Sequence, residues 1–155
     1  MRHIMKSTKR LIFIISVLLI PTALSAQNSD AYENAKKEIT QQFGTFLSMF
    51  DAIPAHALPG AWDNFKQLQS PNNVIPPKYR ELMQLSLASQ IPCVYCVYYH
   101  TVVAQAYGAT DEEIKEAIAQ GAQTRQWSMI LQGNQIEFEV FKAEVDAALK
   151  YGAEK

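Results

Sequence analysis

Apolar positions recur every three or four residues along most of the chain. Between Asp30 and Phe50 they fall at Tyr32, Ala35, Ile39, Phe43, Phe46, Leu47 and Phe50. That spacing puts them on one face of a helix. A second helical stretch, PGAWDNFKQLQ, opens at Pro59 and carries Trp62, Phe65 and Leu68. SPNNVIPP (70–77) reads as a loop. Its Pro77 suits the first position of the next helix, where a missing N–H is no loss. That helix runs from Lys78 to about Gln90 and carries Glu81, Leu82, Leu85 and Ala88. Pro92 opens another, which extends to Tyr107 with Gly108 as its C-terminal cap. Thr110 and Glu113 have the spacing of a capping box, and Asp111 and Glu112 suit the positive end of the helix dipole. Two further helices follow, one to about Gln132 and one over Asn134–Tyr151. There is no hairpin signal and no β-branched alternation. The pattern predicts an all-α fold of about six helices.

The first residues break this pattern. MRHIMKSTKR carries Arg2, Lys6, Lys9 and Arg10 and no acid; LIFIISVLLI is an unbroken apolar run; PTALSAQ follows with a helix breaker and small residues. Basic, apolar, small is the layout of a secretory signal peptide. The run is short of the ~20 residues a membrane span needs. Residues 1–26 therefore read as a leader cleaved after Ala26, and 27–155 as one domain. The leader takes four of the 14 basic residues and none of the 15 acidic ones, so the remainder carries a net charge of −5. An acidic surface argues against nucleic acid or an anionic membrane as partner. The expected location is secreted, periplasmic, with no membrane association after cleavage.

The same leader changes the meaning of the two cysteines. Both lie in QIPCVYCVYYHT (90–101), together with His100. A secreted chain meets oxidising conditions, yet a bridge across three residues closes a tiny loop and removes little unfolded-state entropy. A domain of this size needs no such staple. Chemistry is the better reason for the pair. Cys93 falls in the first turn of its helix, where free N–H groups and the dipole favour a thiolate. Cys96 is one turn on, and His100 stands at i+4 from Cys96, on the same stripe. The octapeptide CVYCVYYH thus holds a nucleophile, a resolving thiol and a base that can take and return a proton. A structural zinc site would need a fourth ligand beside Cys93, Cys96 and His100. Covalent haem would need a histidine where Val97 stands, and a thioredoxin-like fold would need βαβ units. No metal and no cofactor are expected. An imidazole of this kind needs an orienting group, and the nearest upstream acid on a helix is Glu81.

YRELMQLSLASQIPCVYCVYYHTVVAQAYGATDEEIKEA resembles the core of the alkylhydroperoxidase D-like, carboxymuconolactone decarboxylase superfamily. The redox branch of that superfamily has a glutamate, eleven intervening residues, C-x-x-C, three residues, and a histidine. Glu81, Cys93, Cys96 and His100 match at that spacing. The clear resemblance covers about Pro76–Ala122. It implies an all-helical domain that assembles into trimers or hexamers, with the redox pair at the start of a central helix. It implies thiol-dependent reduction of a hydroperoxide: Cys96 attacks, Cys93 resolves the sulfenic acid as a disulfide, and Glu81 and His100 relay protons. A thiol protein or small thiol would then reduce the pair. The best-known members place a histidine where this chain has Tyr95. Two lines of reasoning differ over the nucleophile. The dipole favours Cys93, whereas adjacency to His100 and the resemblance favour Cys96, which is preferred because cleaving a peroxide also needs a proton for the leaving oxygen.

Three other functions fit parts of the chain: a secreted thiol–disulfide oxidoreductase acting on proteins, a non-redox enzyme resembling the decarboxylases, and a non-catalytic oligomeric binding protein. Among the remaining features, Tyr98 and Tyr99 fall on different faces; core or subunit packing is the preferred role, with one of them lining the pocket as the alternative. RQWSMILQ (125–132) reads as a buried helix with Trp127 in its packing. His56 reads as a loop residue. The aromatic face of Asp30–Phe50 packs on the domain or on a neighbouring subunit.

Overall fold

Gly44 decides the shape of the first helical stretch. The computed structural model describes residues 29–154, and the expected leader 1–26 lies outside them. Helix α1 covers 29–43 and stops at Gly44, whose φ of +74° only glycine adopts without strain. A short helix α2, Ser48–Asp51, follows, then α3, Leu58–Leu68, with Pro59 in its first turn. The apolar spacing continues across the break, because Phe46, Leu47 and Phe50 return to the face that Ile39 and Phe43 began. The sequence pattern therefore reads as one helix where the structure has two.

These helices build one compact unit, which ends at Ser70. Its core is Ala35, Ile39, Phe50, Leu58 and Trp62, with Phe43, Phe46 and Phe65 packed against it. Phe50 meets Trp62 edge-on at 5.5 Å, and Trp62 stacks on Phe65 at 5.5 Å. The aromatic face of α1 and α2 is thus used within this unit. The Trp62 Nε1–H donates to Glu38 Oε2 at 2.8 Å, and Lys66 bridges the same oxygen.

The second unit begins at Pro71 and contains four helices. They are α4, Pro77–Ala88; α5, Val94–Ala106; α6, Asp111–Gly133; and α7, Phe138–Ala153. Apart from the split of the first into two, the helices follow the predicted order, and no strand occurs among the described residues. Pro77 opens α4 as expected. The end of α5 is a full Schellman cap: the Gly108 N–H donates to Gln105, the Ala109 N–H donates to Ala104, and Gly108 takes φ +82°. The capping box of α6 is complete, with Glu113 N–H on Thr110 Oγ1 at 3.1 Å and Thr110 N–H on Glu113 Oε2 at 2.9 Å.

Helices α4, α5 and the first half of α6 enclose a small core of Leu82, Leu85, Ala104, Ala109 and Ile114. Gly121 lets α6 come close to α4: a Cβ there would lie 2.4 Å from Ser86 Oγ. Beyond Gly121 the packing stops. From Ala122 to the end of α7 no residue is buried, and Trp127 is 53% exposed. The expectation of a buried helix at 125–132 is therefore corrected. The helical period is there, but α6 runs past the edge of α4, so its second half has nothing of its own unit to cover it.

Candidate active site

The turn between α4 and α5 positions the chemistry. Ile91 and Pro92 make a tight reversal, and α5 starts at Val94. Pro92 thus precedes the helix instead of opening it. Cys93 is the N-cap, with extended backbone at φ −120°, ψ 86°, and its Sγ accepts the Cys96 N–H at 3.2 Å. A sulfur here does what a serine or aspartate oxygen does at other helix starts. The position is one residue earlier than the first-turn placement expected for Cys93, and the N–H bond to its sulfur is direct. Cys93 and Cys96 are joined as a disulfide, S–S 2.03 Å. Both are half-buried.

The reversal also lays α5 back along α4. Glu81, in the second turn of α4, faces His100 on the second turn of α5, and His100 Nδ1 donates to Glu81 Oε2 at 2.8 Å. Glu81 is 2% exposed, whereas the His100 side chain is 17% exposed. A buried carboxylate is costly unless it is paired, and the imidazole supplies that pairing. With Nδ1 as the donor to the carboxylate, the neutral imidazole carries its lone pair on Nε2. Glu81 is thus a buried partner of the imidazole and not an exposed helix-start side chain. All four residues singled out from the sequence lie on one helix pair: Glu81 on α4, and Cys93, Cys96 and His100 at the N-cap and along the first two turns of α5.

Tyr98 and Tyr99 separate as their different faces require. Tyr98 is 71% exposed, whereas Tyr99 is half-buried with its ring edge-to-face on the His100 imidazole, centroids 5.2 Å apart. Burial, followed by the nearby Glu81 charge and Tyr107, pushes the Tyr99 hydroxyl above the usual phenol range, so it stays neutral. Tyr95, between the cysteines, is exposed. His56 lies in an exposed turn of the first unit, as expected.

A further feature is the absence of charge. From Leu82 to Thr110 the chain has no Asp, Glu, Lys or Arg. Glu81 marks the upstream edge of this stretch and Asp111 follows its downstream end, so His100 is the only ionisable nitrogen in it.

The comparisons with known proteins agree with this architecture. The chain is similar to the crystal structure of the alkylhydroperoxidase AhpD core from Rhodospirillum rubrum ATCC 11170, with a TM-score of 0.62 and 21% identity over 76% of this chain and 90% of that one. At that identity the likeness speaks for the fold alone, an all-helical, AhpD-like arrangement. No curated protein matches the chain. Residues 57–136, just over half of its length, match the family described as "Carboxymuconolactone decarboxylase family". The match takes in α3 to α6 and every residue of the candidate site, and the chain belongs to the carboxymuconolactone decarboxylase family.

Proposed function

We propose that this protein is a thiol-dependent hydroperoxide reductase. The observation that carries the reading is the bond from His100 to the buried Glu81 carboxylate, on a helix whose preceding turns hold a C-x-x-C pair. In the reduced protein, His100 Nε2 takes the Cys96 thiol proton. The Cys96 thiolate attacks the nearer peroxide oxygen, the O–O bond breaks, and Cys96 becomes a sulfenic acid. The departing alkoxide takes the proton from His100 and leaves as an alcohol. The Cys93 thiolate, favoured by the Cys96 N–H at the start of α5, attacks the sulfenic sulfur and expels hydroxide, which leaves as water. An external thiol reductant then returns two electrons to the disulfide. Glu81 holds the imidazole in the tautomer this sequence requires.

The test uses the reduced protein and an organic hydroperoxide in single turnover. Cys93→Ser is expected to react at the wild-type rate and to accumulate a sulfenic acid that dimedone traps. Cys96→Ser is expected to react no faster than a free thiol. If both variants react like wild type, or neither does, the assignment is wrong.

One observation favours a second reading, thiol–disulfide exchange with proteins. Cys93 at the N-cap, with an N–H on its sulfur, has the placement of an attacking or leaving thiolate in such exchange. Reduction of insulin without turnover of peroxide would favour it.

We propose also that the working form is a homo-oligomer, a trimer or a hexamer, exported from the cytoplasm. The uncovered second half of α6 and all of α7 support the first point. Helix α7 has 16 residues and no buried one, and a lone helix of that length is marginal in water. Phe138, Phe141, Val145 and Leu149 form an apolar stripe along it, with Trp127 and Ile130 exposed on α6. A second copy is the occupant that is always available to such an arm.

A further inference from the structure

The relay bond alone does not hold the imidazole in place. A histidine tethered at one nitrogen can still turn about its Cβ–Cγ bond, because that torsion is broad and roughly two-fold. A flip would carry Nδ1 off Glu81 and exchange the positions of the two ring nitrogens. A second restraint on the ring is therefore valuable, and one neighbour touches it. Side chains at successive helix positions normally diverge, yet the rings of Tyr99 and His100 meet edge-to-face at 5.2 Å. The core of its unit is Leu82, Leu85, Ala104, Ala109 and Ile114, with Val97 and Ala117 against it, and Tyr99 lies outside that cluster. It is nevertheless half-buried, whereas Tyr98 beside it points outward.

We propose that Tyr99 is a positioning residue: its ring, packed edge-to-face on His100, holds the imidazole in the orientation that keeps Nδ1 on Glu81 and Nε2 toward Cys96. The ring is the agent and not the hydroxyl. The neutral phenol beside Glu81 and His100 adds no charge that would compete with the carboxylate for the imidazole. The inference rests on the reductase reading for its effect on rate, but its structural part stands without it.

The experiment labels histidines with 15N in the full-length reduced protein. The chain has three histidines, and His100→Gln assigns the signal. Wild type is expected to show one tautomer at His100, protonated at Nδ1. Tyr99→Leu is expected to mix in the Nε2–H tautomer and to slow sulfenate formation at Cys96 by roughly threefold to tenfold, the range of one edge-to-face contact. Tyr99→Phe is expected to stay within twofold of wild type in rate and to keep the single tautomer. A Tyr99→Leu protein with unchanged tautomer and rate overturns the proposal. So does a Tyr99→Phe protein that behaves like Tyr99→Leu, because the hydroxyl would then be responsible. If Tyr99→Leu does not fold, Tyr99→Met, unbranched and more adaptable in shape, takes its place in both measurements. If wild type fails to reduce peroxide at all, the reductase reading falls, and the tautomer signal still decides the role of Tyr99.

Discussion

Replacing Glu81 by glutamine changes one charge and almost no shape. The amide oxygen can still accept from His100 Nδ1–H at about the observed 2.8 Å. What is lost is the negative charge that stabilises the imidazolium formed when His100 takes the Cys96 proton. A hydrogen bond to a charged group contributes ~1.5–3 kcal/mol and a neutral one ~0.5–1.5 kcal/mol, so the loss is at least ~1 kcal/mol. Two unit charges about 4 Å apart, at the effective dielectric of ~20 that suits protein sites, attract by ~4 kcal/mol, which sets the ceiling. Glu81 is 2% exposed, so water does little to dilute the effect. Converted to rate, sulfenate formation in Glu81→Gln should be slower by roughly fivefold to a thousandfold. The assay mixes reduced protein with excess tert-butyl hydroperoxide in stopped flow, quenches with acid, and counts remaining thiols. Far-ultraviolet dichroism and melting temperature should match wild type, because the bond itself survives. A Glu81→Gln protein that reacts within twofold of wild type from pH 6 to 9 would refute the relay.

Other substitutions probe the frame around the site. His100→Ala leaves a buried carboxylate without its donor and should cost about 2–4 kcal/mol of stability in denaturant titration, more than Glu81→Gln costs. Gly121→Ala puts a Cβ 2.4 Å from Ser86 Oγ and 3.1 Å from its carbonyl oxygen, so overpacking of ~1–3 kcal/mol should outweigh the gain in helix propensity. Adding Ser86→Ala should recover part of that loss in the same titration. Lys78 bonds Glu113 at 2.7 Å; this bond holds the Glu113 carboxyl below its usual range and the Lys78 ammonium above its own. Glu113 therefore stabilises the fold above about pH 4.5, and that contribution disappears as pH falls through its lowered folded value. The melting temperature of Glu113→Gln should fall less steeply than wild type between pH 5 and 3, and an identical slope would discount the pair. Phe141→Asp with Val145→Asp should shift the mass measured by light scattering towards the monomer if α7 is an intersubunit face.

The places where sequence and structure agree are those where one residue type has one local use. Pro77, Gly108 and the Thr110–Glu113 box each act within a few residues of chain, so their roles were legible. The Glu81–His100 bond joins two helices, and periodicity alone could not have paired them; the spacing shared with a known superfamily could. Three features were not legible. Gly44 breaks a helix whose apolar spacing carries on past it, and a glycine in such a stretch is often tolerated. The stretch around Trp127 is as apolar as a core, and composition does not say whether an apolar face meets its own domain or another surface. The Tyr98–Tyr99 pair divides according to a rotation of about 100° per residue, which separates their faces but does not say which one meets the histidine.

The sulfur that caps α5 also ties local structure to oxidation state. The Cys96 amide has Cys93 Sγ as its acceptor, so the same atom that makes and breaks the S–S bond closes the first turn of the helix. Whatever happens to that sulfur is felt by the backbone behind it. A thiolate should grip the amide more tightly than a disulfide sulfur does, and an alkylated sulfur should release it. Hydrogen exchange at this one N–H therefore provides a native, label-free gauge of the redox state, readable by mass spectrometry of a single peptide.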